Sequence, residues 1–498
     1  MRSRLLKLVM ITGGITMASM ITATAAFAQT EPATKADLAA TNIALNMLWV
    51  VLGAVLVVFM QAGFALVETG FCQARHAAHV VSTNFAIFGL GMVGFFFIGF
   101  PLAFGSFSYA SFGLDKPVGG ALIGSGNWIF LHKGPLMMMG KGYAPAALAF
   151  FFYMVAFMDT TATIPTGAMA ERWKWNSFVV WGLFCGAIYY PIFAAWTWGG
   201  GWLSQLGDSL KLGHGYVDFA GSGVVHAVGG VAALAGAIVL GPRMGKYGPD
   251  GKARTIAGHH IPMAMLGTFI LLFGWFGFNA ASTFAATDIQ FATVAANTAI
   301  AAAFGATAAM FLVMFTGAKK PDPGMMVNGM LAGLVAITAP CAFVSPLSSA
   351  IIGSIAAIIV VKAIGFFESR GIDDPVGAIS VHGVGGLFGV LCVGIFADGK
   401  YGKGWNVLTR QYTIDHGVEG VVKGKFGQLG SQAIGVVVLC TVVFGIAYAF
   451  FSLQNKLTKG GIRSDEADEM IGLDVPEMGV LAYPEFEMPA SKTSVGVS

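Results

Sequence analysis

The chain has 498 residues, of which 56% are hydrophobic and only 11% are charged, whereas a soluble domain carries about 25% charged residues. This composition excludes an ordinary soluble domain and predicts an integral membrane protein. The net charge is +3 without a basic run, so neither a nucleic acid nor an acidic protein surface is indicated as a partner. The five cysteines have no metal-ligand spacing and are typical of small buried residues.

Residues 1–28 are interpreted as a cleavable signal peptide. Three basic residues precede a short apolar stretch that ends in Ala-Phe-Ala at positions 26–28, which is the pattern of a cleavage site. The alternative is an additional membrane helix, although the stretch is only weakly apolar. Cleavage would leave the new N-terminus outside the membrane.

The rest of the chain contains eleven apolar segments of roughly 20 residues or more, the length that crosses a hydrocarbon core about 30 Å thick. Their approximate centres are Ala54, Val93, Met154, Leu183, Ala232, Phe269, Ala303, Leu334, Ala357, Phe388 and Val442. The predicted membrane domain therefore covers 29–455, and 456–498 form a cytoplasmic tail. Lys and Arg are concentrated in the predicted inner loops, which supports this orientation in an inner (plasma) membrane.

One motif occurs twice, as DFAGSGVVHAVGG at 218–230 and DPVGAISVHGVGG at 374–386. The copies fall in the fifth and tenth predicted spans, so the second runs antiparallel to the first. An inverted repeat of this kind places its site at the interface between the repeats. The predicted fold class is an all-α membrane protein with eleven transmembrane helices. Its two inverted five-helix halves are about 43–241 and 258–397, and its last helix is about 429–454.

Each copy of the motif places an aspartate eight residues before a histidine, as Asp218 with His226 and Asp374 with His382. If each aspartate begins its helix, each histidine lies about 12 Å deeper, near the membrane midplane. An ionisable group at that depth usually serves a pathway or a relay. A single buried histidine is more often bonded to a neighbouring carbonyl, but the duplication favours a functional pair. The aspartates are expected to hold helix N-termini.

The stretch DFAGSGVVHAVGGVAALAGAIVLGPR at 218–243 resembles the signature of the ammonium transporter family. Other similar segments are MQAGFALVETG from Met60, GAMAERW from Gly167, WGGGWL from Trp198, GWFGFNAAS from Gly274, DDPVGAISVHGVGG from Asp373 and GLDVPEMGVLAYPE from Gly472. The resemblance covers nearly the whole chain after residue 28. It implies a homotrimer of eleven-helix subunits, each with its own apolar pore, and no cofactor or metal.

The resemblance also assigns roles to individual residues. Trp198 and Ser282 are expected to recruit ammonium, Phe157 and Phe278 to gate the pore, and His226 and His382 to line it. Trp275, in the same segment as Phe278, is expected to be structural near the site. From the residues alone, Trp198 could equally belong to an aromatic belt at the membrane surface, and Phe157 to ordinary packing.

The expected mechanism follows from the cost of moving a charge. A bare cation in a dry apolar pore costs several kcal/mol, so we expect NH4+ to lose its proton near the outer gate and NH3 to cross. Two hydrogen-bonded imidazoles can conduct the proton, because each ring can donate at one nitrogen and accept at the other.

Several alternatives stay open at this stage. A neutral-gas channel of the related Rh type would pass NH3 or CO2 without moving charge, an ammonium sensor would conduct little, and a membrane metalloenzyme would need clustered histidines that the chain lacks. The family further implies contact with a nitrogen-regulatory protein of the PII class at the cytoplasmic face. Asp159 is expected to have a partner within the helix bundle, and the role of Glu68 is open.

Overall fold

The structure is a computed structural model that describes residues 34–317, 319–406 and 416–486. The predicted signal peptide and the last part of the predicted tail lie outside these residues. Eleven apolar helices form the body of the described part, and ten of them are long enough to cross a membrane. The helices are α1 (Lys35–Phe71), α2 (Ala74–Phe104), α3 (Pro145–Met169), α4 (Trp175–Trp196), α5 (Ser222–Leu240), α6 (Ile261–Thr283), α7 (Gln290–Thr316), α8 (Pro323–Ile337), α9 (Pro346–Ser369), α10 (Ile379–Phe396) and α11 (Gly427–Leu457).

The exception is α8, which has 15 residues and is only about 22 Å long. The eighth predicted span is therefore helical over part of its length. Pro340 disfavours helical backbone in the residue before it, and the chain from 338 to 344 continues as buried turns. Carbonyl groups of this segment accept hydrogen bonds from the N–H groups of Phe219 and Ala220, at 3.2 and 3.1 Å. Irregular backbone within a membrane requires such internal partners.

Shorter elements connect the long helices. An antiparallel hairpin of β1 (Gly120–Ser125) and β2 (Trp128–Lys133) follows α2. The tail contains α12 (Glu466–Ile471) and α13 (Asp474–Met478). The remaining short helices are Ala110–Phe112, Leu136–Met138, Gly140–Tyr143, Leu206–Leu210, Val421–Lys423 and Pro484–Phe486.

Helices α1 and α6 pack closely and run antiparallel. A Cβ atom at Gly63 would lie 2.9 Å from the carbonyl oxygen of Gly267, and one at Gly277 would lie 2.9 Å from that of Gly53. Gly53 faces Gly277 and Gly63 faces Gly267, so the residue numbers of α6 decrease as those of α1 increase. The two helices therefore run in opposite directions. Small residues permit this approach of backbones, as is common between helices in lipid.

A buried ion cluster joins the ends of three helices on one side of the molecule. The Arg243 side chain donates to Asp373 at 2.8 and 3.0 Å and lies 3.3 Å from Glu171. Burial alone would raise the pKa of Asp373, but the hydrogen bonds and charge of Arg243, together with the charge of Arg172, lower it to about 2. The loop after α5 is thereby fixed to the loop before α10.

The tail docks on the same side. The Ser464 N–H donates to the Arg172 carbonyl at 2.9 Å, and the Met244 N–H donates to a carboxylate oxygen of Glu469 at 2.7 Å. The predicted cytoplasmic tail therefore contacts the helix ends that carry the ion cluster.

Candidate functional site

The two histidines of the repeated motif meet in the interior of the helix bundle. The Nδ1 atoms of His226 and His382 are 3.1 Å apart, and the ring centroids are 5.2 Å apart. Both side chains are buried. A hydrogen bond between two Nδ1 atoms needs one proton, so one ring donates and the other accepts.

Both histidines lie in a π-helical turn at the start of their helix. These turns are Ser222–Ala227 in α5 and Ile379–Val384 in α10. The N–H of His226 donates to the carbonyl of Gly221, five residues back, at 3.0 Å. Gly221 has a φ of +114°, which is a conformation that favours glycine. Single π-helical turns are rare and frequently occur at functional sites.

Each motif aspartate binds the backbone at the start of its helix. The Asp218 carboxylate accepts three N–H bonds of 2.8 Å, and the Asp374 carboxylate accepts two, at 3.0 and 2.7 Å. The donors are Gly221, Gly223 and Val224 for Asp218, and Gly377 and Ile379 for Asp374. Burial raises the pKa of both carboxyls to about 6, although the N–H bonds oppose it. Carboxylates are favoured at helix N-termini.

The glycines that follow the histidines bring α5 and α10 into contact. A Cβ atom at Gly230 would lie 2.1 Å from the backbone nitrogen of Gly383, and one at Gly386 would lie 2.8 Å from that of Ala227. In the repeat, Gly230 corresponds to Gly386 and Ala227 corresponds to Gly383. Each copy therefore uses the same two positions to contact the other copy, as in an interface with two-fold symmetry.

One face of α6 is turned toward the histidines and the phenyl rings. Ser282, Phe278, Trp275 and Leu271 follow one another at spacings of four, three and four residues, which places them on one side of a helix. The Trp275 ring stacks on His226 with centroids 5.1 Å apart. Its Nε1–H donates to Thr338 Oγ1 at 2.8 Å, which fixes the indole in place.

The two predicted gate rings are stacked directly beside His226. Phe157 and Phe278 have centroids 4.1 Å apart, and Phe278 lies 5.4 Å from His226. Both phenyl groups are fully buried. Trp198 meets Phe157 edge to face at 5.7 Å, and its Nε1–H donates to the Asp218 carbonyl at 2.7 Å. The structure thus brings together Trp198, both rings and the histidines.

Tyr153 is a member of this site that the sequence did not assign. Its ring lies 4.7 Å from Phe157, and its hydroxyl is 3.1 Å from Ser282 Oγ. The Ser282 hydroxyl also lies 2.7 Å from the carbonyl oxygen of Phe278, and the Tyr153 hydroxyl lies 3.1 Å from that of Gly277, so either hydroxyl can donate to the other. Tyr153 stands one helical turn before Phe157, a spacing that places the two rings on one side of α3.

A small cavity, with about 20 Å³ open to the centres of water-sized molecules, lies beside His382, on the opposite side of the histidine pair from the phenyl rings. His382, Glu68 and Asn328 contribute its polar lining, and the rest is apolar. Glu68 is buried and accepts a hydrogen bond from Asn84 Nδ2 at 2.7 Å. The sequence placed no residue of this cavity in the site apart from His382.

Asp159 does not match its prediction. The side chain is buried, but its Oδ1 atom has no hydrogen-bond partner among the described residues. The expected partner within the bundle is therefore wrong for this oxygen.

A many-span helical membrane protein with buried aromatic rings stacked on a buried imidazole pair has the architecture of a channel or transporter. The comparisons with known proteins agree. The sequence model of the Ammonium Transporter Family matches residues 48–483, and the chain belongs to this family. Membership places it among membrane transport proteins and not among enzymes.

Relatives match over most of the chain. It is similar to "Ammonium transporter Amt2" of Archaeoglobus fulgidus, with 42% identity over 89% of each sequence. It is also similar to "Ammonium transporter Amt1" of Haloferax mediterranei, with 35% identity over 89% of this chain and 80% of the relative.

Solved structures show the same fold. The structure titled "Sensor Amt Protein" has a TM-score of 0.75 and 36% identity, over 88% of this chain and 99% of that one. Candida albicans Mep2 has a TM-score of 0.69 and 28% identity, over 91% and 93%.

Proposed function

We propose that this protein carries ammonium across a membrane by separating NH4+ into NH3 and a proton, which cross by adjacent routes. The observation that carries the proposal is the continuous contact from the Phe157 and Phe278 rings through His226 to His382. The rings exclude water and the imidazoles offer a proton path. Membership of the Ammonium Transporter Family supports ammonium as the substrate.

The architecture that goes with this function has eleven crossings in two inverted halves, about 43–241 and 258–397, and a last helix. Support comes from the antiparallel packing of α1 with α6 and from the reciprocal contacts of the two motif copies. The eighth crossing would combine α8 with the buried turns from 338 to 344. In this arrangement the site lies at the interface between the halves.

Recruitment of the cation is assigned to Trp198 and Ser282. The indole of Trp198 is half-buried, and a cation over an indole face is attracted by about 0.5 to 2 kcal/mol. The Ser282 hydroxyl has the carbonyl of Phe278 as an acceptor for its hydrogen, so its oxygen can accept an N–H of an arriving ammonium ion. Neutral competitors lack the cation-π attraction and are selected against.

Deprotonation follows from the dryness of the path. Phe157 and Phe278 present only apolar surface, and a cation that leaves water for such surroundings costs several kcal/mol. Neutral NH3 avoids this cost. The proton passes to the histidine pair, since the Nδ1 contact allows one ring to accept at Nε2 as the other releases. One NH4+ enters and one leaves, so one positive charge moves per cycle.

The histidine relay is tested by ammonium-evoked current in proteoliposomes. His226→Leu and His382→Leu should each reduce the current by on the order of 100-fold, the range expected when a proton-transfer group is removed. His416→Leu is the matched control, because His416 is exposed. Undiminished current in either pore variant would refute the relay. Ammonia flux without current in the unaltered protein would instead identify a neutral-gas channel of the Rh type.

The recruitment site is tested by Trp198→Leu. Loss of about 1 kcal/mol of cation-π attraction raises the half-saturating ammonium concentration about fivefold. The maximal current should change little. An unaltered concentration dependence would remove Trp198 from recruitment.

The assembly and surroundings of the protein are part of the proposal. We infer a homotrimer in the inner (plasma) membrane with a cleaved signal peptide (1–28), an outside N-terminus and the tail in the cytoplasm. The docked tail offers the surface on which a PII-class regulatory protein would act. Native mass spectrometry, N-terminal sequencing and pull-down under nitrogen excess test these statements. A monomer would contradict the homotrimer, and an intact N-terminus would contradict the cleaved signal peptide. Failure to retain a partner would contradict the regulatory contact.

A sensor is the second candidate, because the chain is similar to a structure titled "Sensor Amt Protein" at 36% identity. A sensor would bind ammonium and conduct little. Uptake of a methylated ammonium analogue by transporter-deficient cells distinguishes the two functions. Accumulation of the analogue favours the transporter, and binding without uptake favours the sensor.

A further inference from the structure

The cavity beyond His382 contains a carboxyl group that neither the gate nor the histidine relay uses. Glu68 on α1 lines the cavity together with His382 on α10 and Asn328 on α8. Glu68 has 3% of its surface exposed, and no cationic side chain of the described residues forms an ion pair with it. An ionisable group within a membrane-spanning helix is expensive and usually belongs to a pathway.

The hydrogen bonds of Glu68 fit both its neutral and its ionised form. Thr166 Oγ1 lies 2.9 and 2.8 Å from the two carboxyl oxygens, but only 2.5 Å from the Thr163 carbonyl. A hydroxyl has one hydrogen, and a carbonyl can only accept. If Thr166 donates to Thr163, the contact with Glu68 is a hydrogen bond only when Glu68 carries a proton. If Glu68 is ionised, Thr166 rotates its hydrogen toward it.

The position of that proton is also constrained. Asn84 Nδ2 donates to Oε2 of Glu68 at 2.7 Å, which leaves Oε1 as the oxygen that carries the proton in the neutral form. The Gln61 side chain donates to the backbone carbonyl of Asn84 at 2.6 Å. Its amide oxygen accepts from Thr163 Oγ1 at 3.0 Å. Glu68 is therefore held by side chains from two other helices, Asn84 on α2 and Thr166 on α3, while it retains the freedom to gain or lose a proton.

Asn328 provides an acceptor in the same cavity. Its side chain has 5% of its surface exposed, and its Oδ1 atom has no hydrogen-bond partner among the described residues. An unpaired buried acceptor costs about 1 to 3 kcal/mol. A ligand with N–H donors would remove this cost. Ammonium has four such donors and ammonia has three.

We propose that this cavity is a second ammonium site, in which Glu68 returns the proton to ammonia that has passed the histidines. This inference rests on the proposed function. The proton released outside passes along His226 and His382 to Glu68, and Glu68 then protonates NH3 to give NH4+ and a carboxylate. The next proton from His382 restores the acid. Asn328 Oδ1 accepts an N–H of the product before it leaves.

The test compares Glu68→Gln with Glu68→Asp by ammonium-evoked current in proteoliposomes over a pH series. Gln keeps the bond from Asn84 but cannot deliver a proton, so the current should fall about tenfold or more, and its remaining pH dependence should flatten. The half-saturating ammonium concentration should not change, because the outer site is intact. Asp should restore most of the current and the pH dependence.

Three further variants make the outcome decisive. Glu466→Gln is the matched control, since Glu466 is exposed on the tail, and it should behave as the unaltered protein. Asn328→Leu should lower the current but keep the pH profile, which supports the site even if Glu68→Gln fails to fold. His226→Leu reports on the proposed function separately. Normal current in Glu68→Gln, with His226→Leu inactive, would overturn the second site alone. Absence of current in the unaltered protein would overturn both proposals.

Discussion

The two copies of the repeated motif share a backbone design but stand in different surroundings. Both begin with an aspartate that binds backbone N–H groups, both carry their histidine in a π-helical turn, and both use the same positions to contact each other. His226 is enclosed by the rings of Trp275 and Phe278. His382 lies 6.0 Å from Phe64 and opens onto the cavity that holds Glu68.

This difference shows that a sequence repeat determines the local backbone geometry of each copy but not the side chains that surround it. The motif determines where the helix begins, how the turn widens and how closely the copies approach. The neighbours supplied by α1, α6 and α8 determine that one imidazole faces the dry side and the other faces the polar side. The two imidazoles therefore differ in their surroundings although their backbone setting is the same.

The close approach of the copies gives the largest expected effect. Gly230→Ala would place Cβ 2.1 Å from a backbone nitrogen, whereas Gly383→Ala would place it 3.5 Å from the nearest atom. Overpacking against backbone costs about 3 kcal/mol or more, so Gly230→Ala should lower the melting temperature strongly or prevent folding. Gly383→Ala should be tolerated, since the first copy already has Ala227 there. Equal stability of the two variants in detergent would contradict the reciprocal contact.

The aspartates should also differ between the copies. Asp218→Ala leaves three N–H groups without their carboxylate partner, and Asp374→Ala leaves two. We expect losses of about 2 kcal/mol or more for Asp218→Ala and less for Asp374→Ala, as typical of N-terminal caps and bonds to charged groups. Thermal unfolding at pH 7 measures both. A larger loss for Asp374→Ala would show that another interaction dominates.

The second copy is braced by an ion pair of Asp373, next to its aspartate, whereas the sequence neighbours of Asp218 are the apolar Val217 and Phe219. The pKa of Asp373 is held at about 2, below its value of 3.8 in the unfolded chain, so its contribution is present above pH 4 and is lost as the pH falls toward 2. The stability contribution of Asp374 changes with pH in the opposite direction, because its pKa is raised to about 6. The part of its contribution that depends on protonation is present below pH 4 and is lost as the pH rises through 6, whereas the N–H bonds to its oxygens remain at pH 7.

Asp373→Asn should therefore remove a stabilisation on the order of 2 kcal/mol at neutral pH and flatten the loss of stability between pH 5 and pH 3. Melting temperatures across this range check the prediction. Asp250→Asn, at an exposed loop position, is the control and should follow the unaltered protein. If the melting temperature of Asp373→Asn fell between pH 5 and pH 3 as much as that of the unaltered protein, Arg243 would not stabilise the ionised form of Asp373.

Much of the framework was predictable because it depends on local sequence. The spans follow from apolar length, and the meeting of His226 with His382 follows from duplication and helix rise. The short α8 was missed because apolar composition continues past Pro340 while the backbone leaves the helix. The π-helical turns were also missed, since nothing in the motif distinguishes a backbone hydrogen bond over five residues from the α-helical bond over four.

The side chains that complete the site were less predictable. Tyr153, Glu68 and Asn328 come from three different helices, and their contacts depend on how these helices pack against one another. Each has an ordinary structural role when it is considered alone. Asp159 shows the converse, since an acid in a membrane span implies a bonded partner and its Oδ1 has none among the described residues.

The smallest expected effect concerns how His226 keeps its stacking partner. Thr338→Val removes the acceptor of the Trp275 N–H and leaves a buried donor unpaired, at a cost of about 1 kcal/mol or slightly more. Thr268→Val is the matched control on α6, because the Thr268 hydroxyl only donates to its own helix at Ala264. The difference between their melting temperatures isolates the indole bond. The ring beside His382 is Phe64, and its side chain has no polar group that could form a bond like that of Trp275. If Thr338→Val also lowered ammonium-evoked current while Thr268→Val did not, the orientation of the Trp275 ring would be shown to position His226 for proton transfer; equal currents would limit the bond to stability.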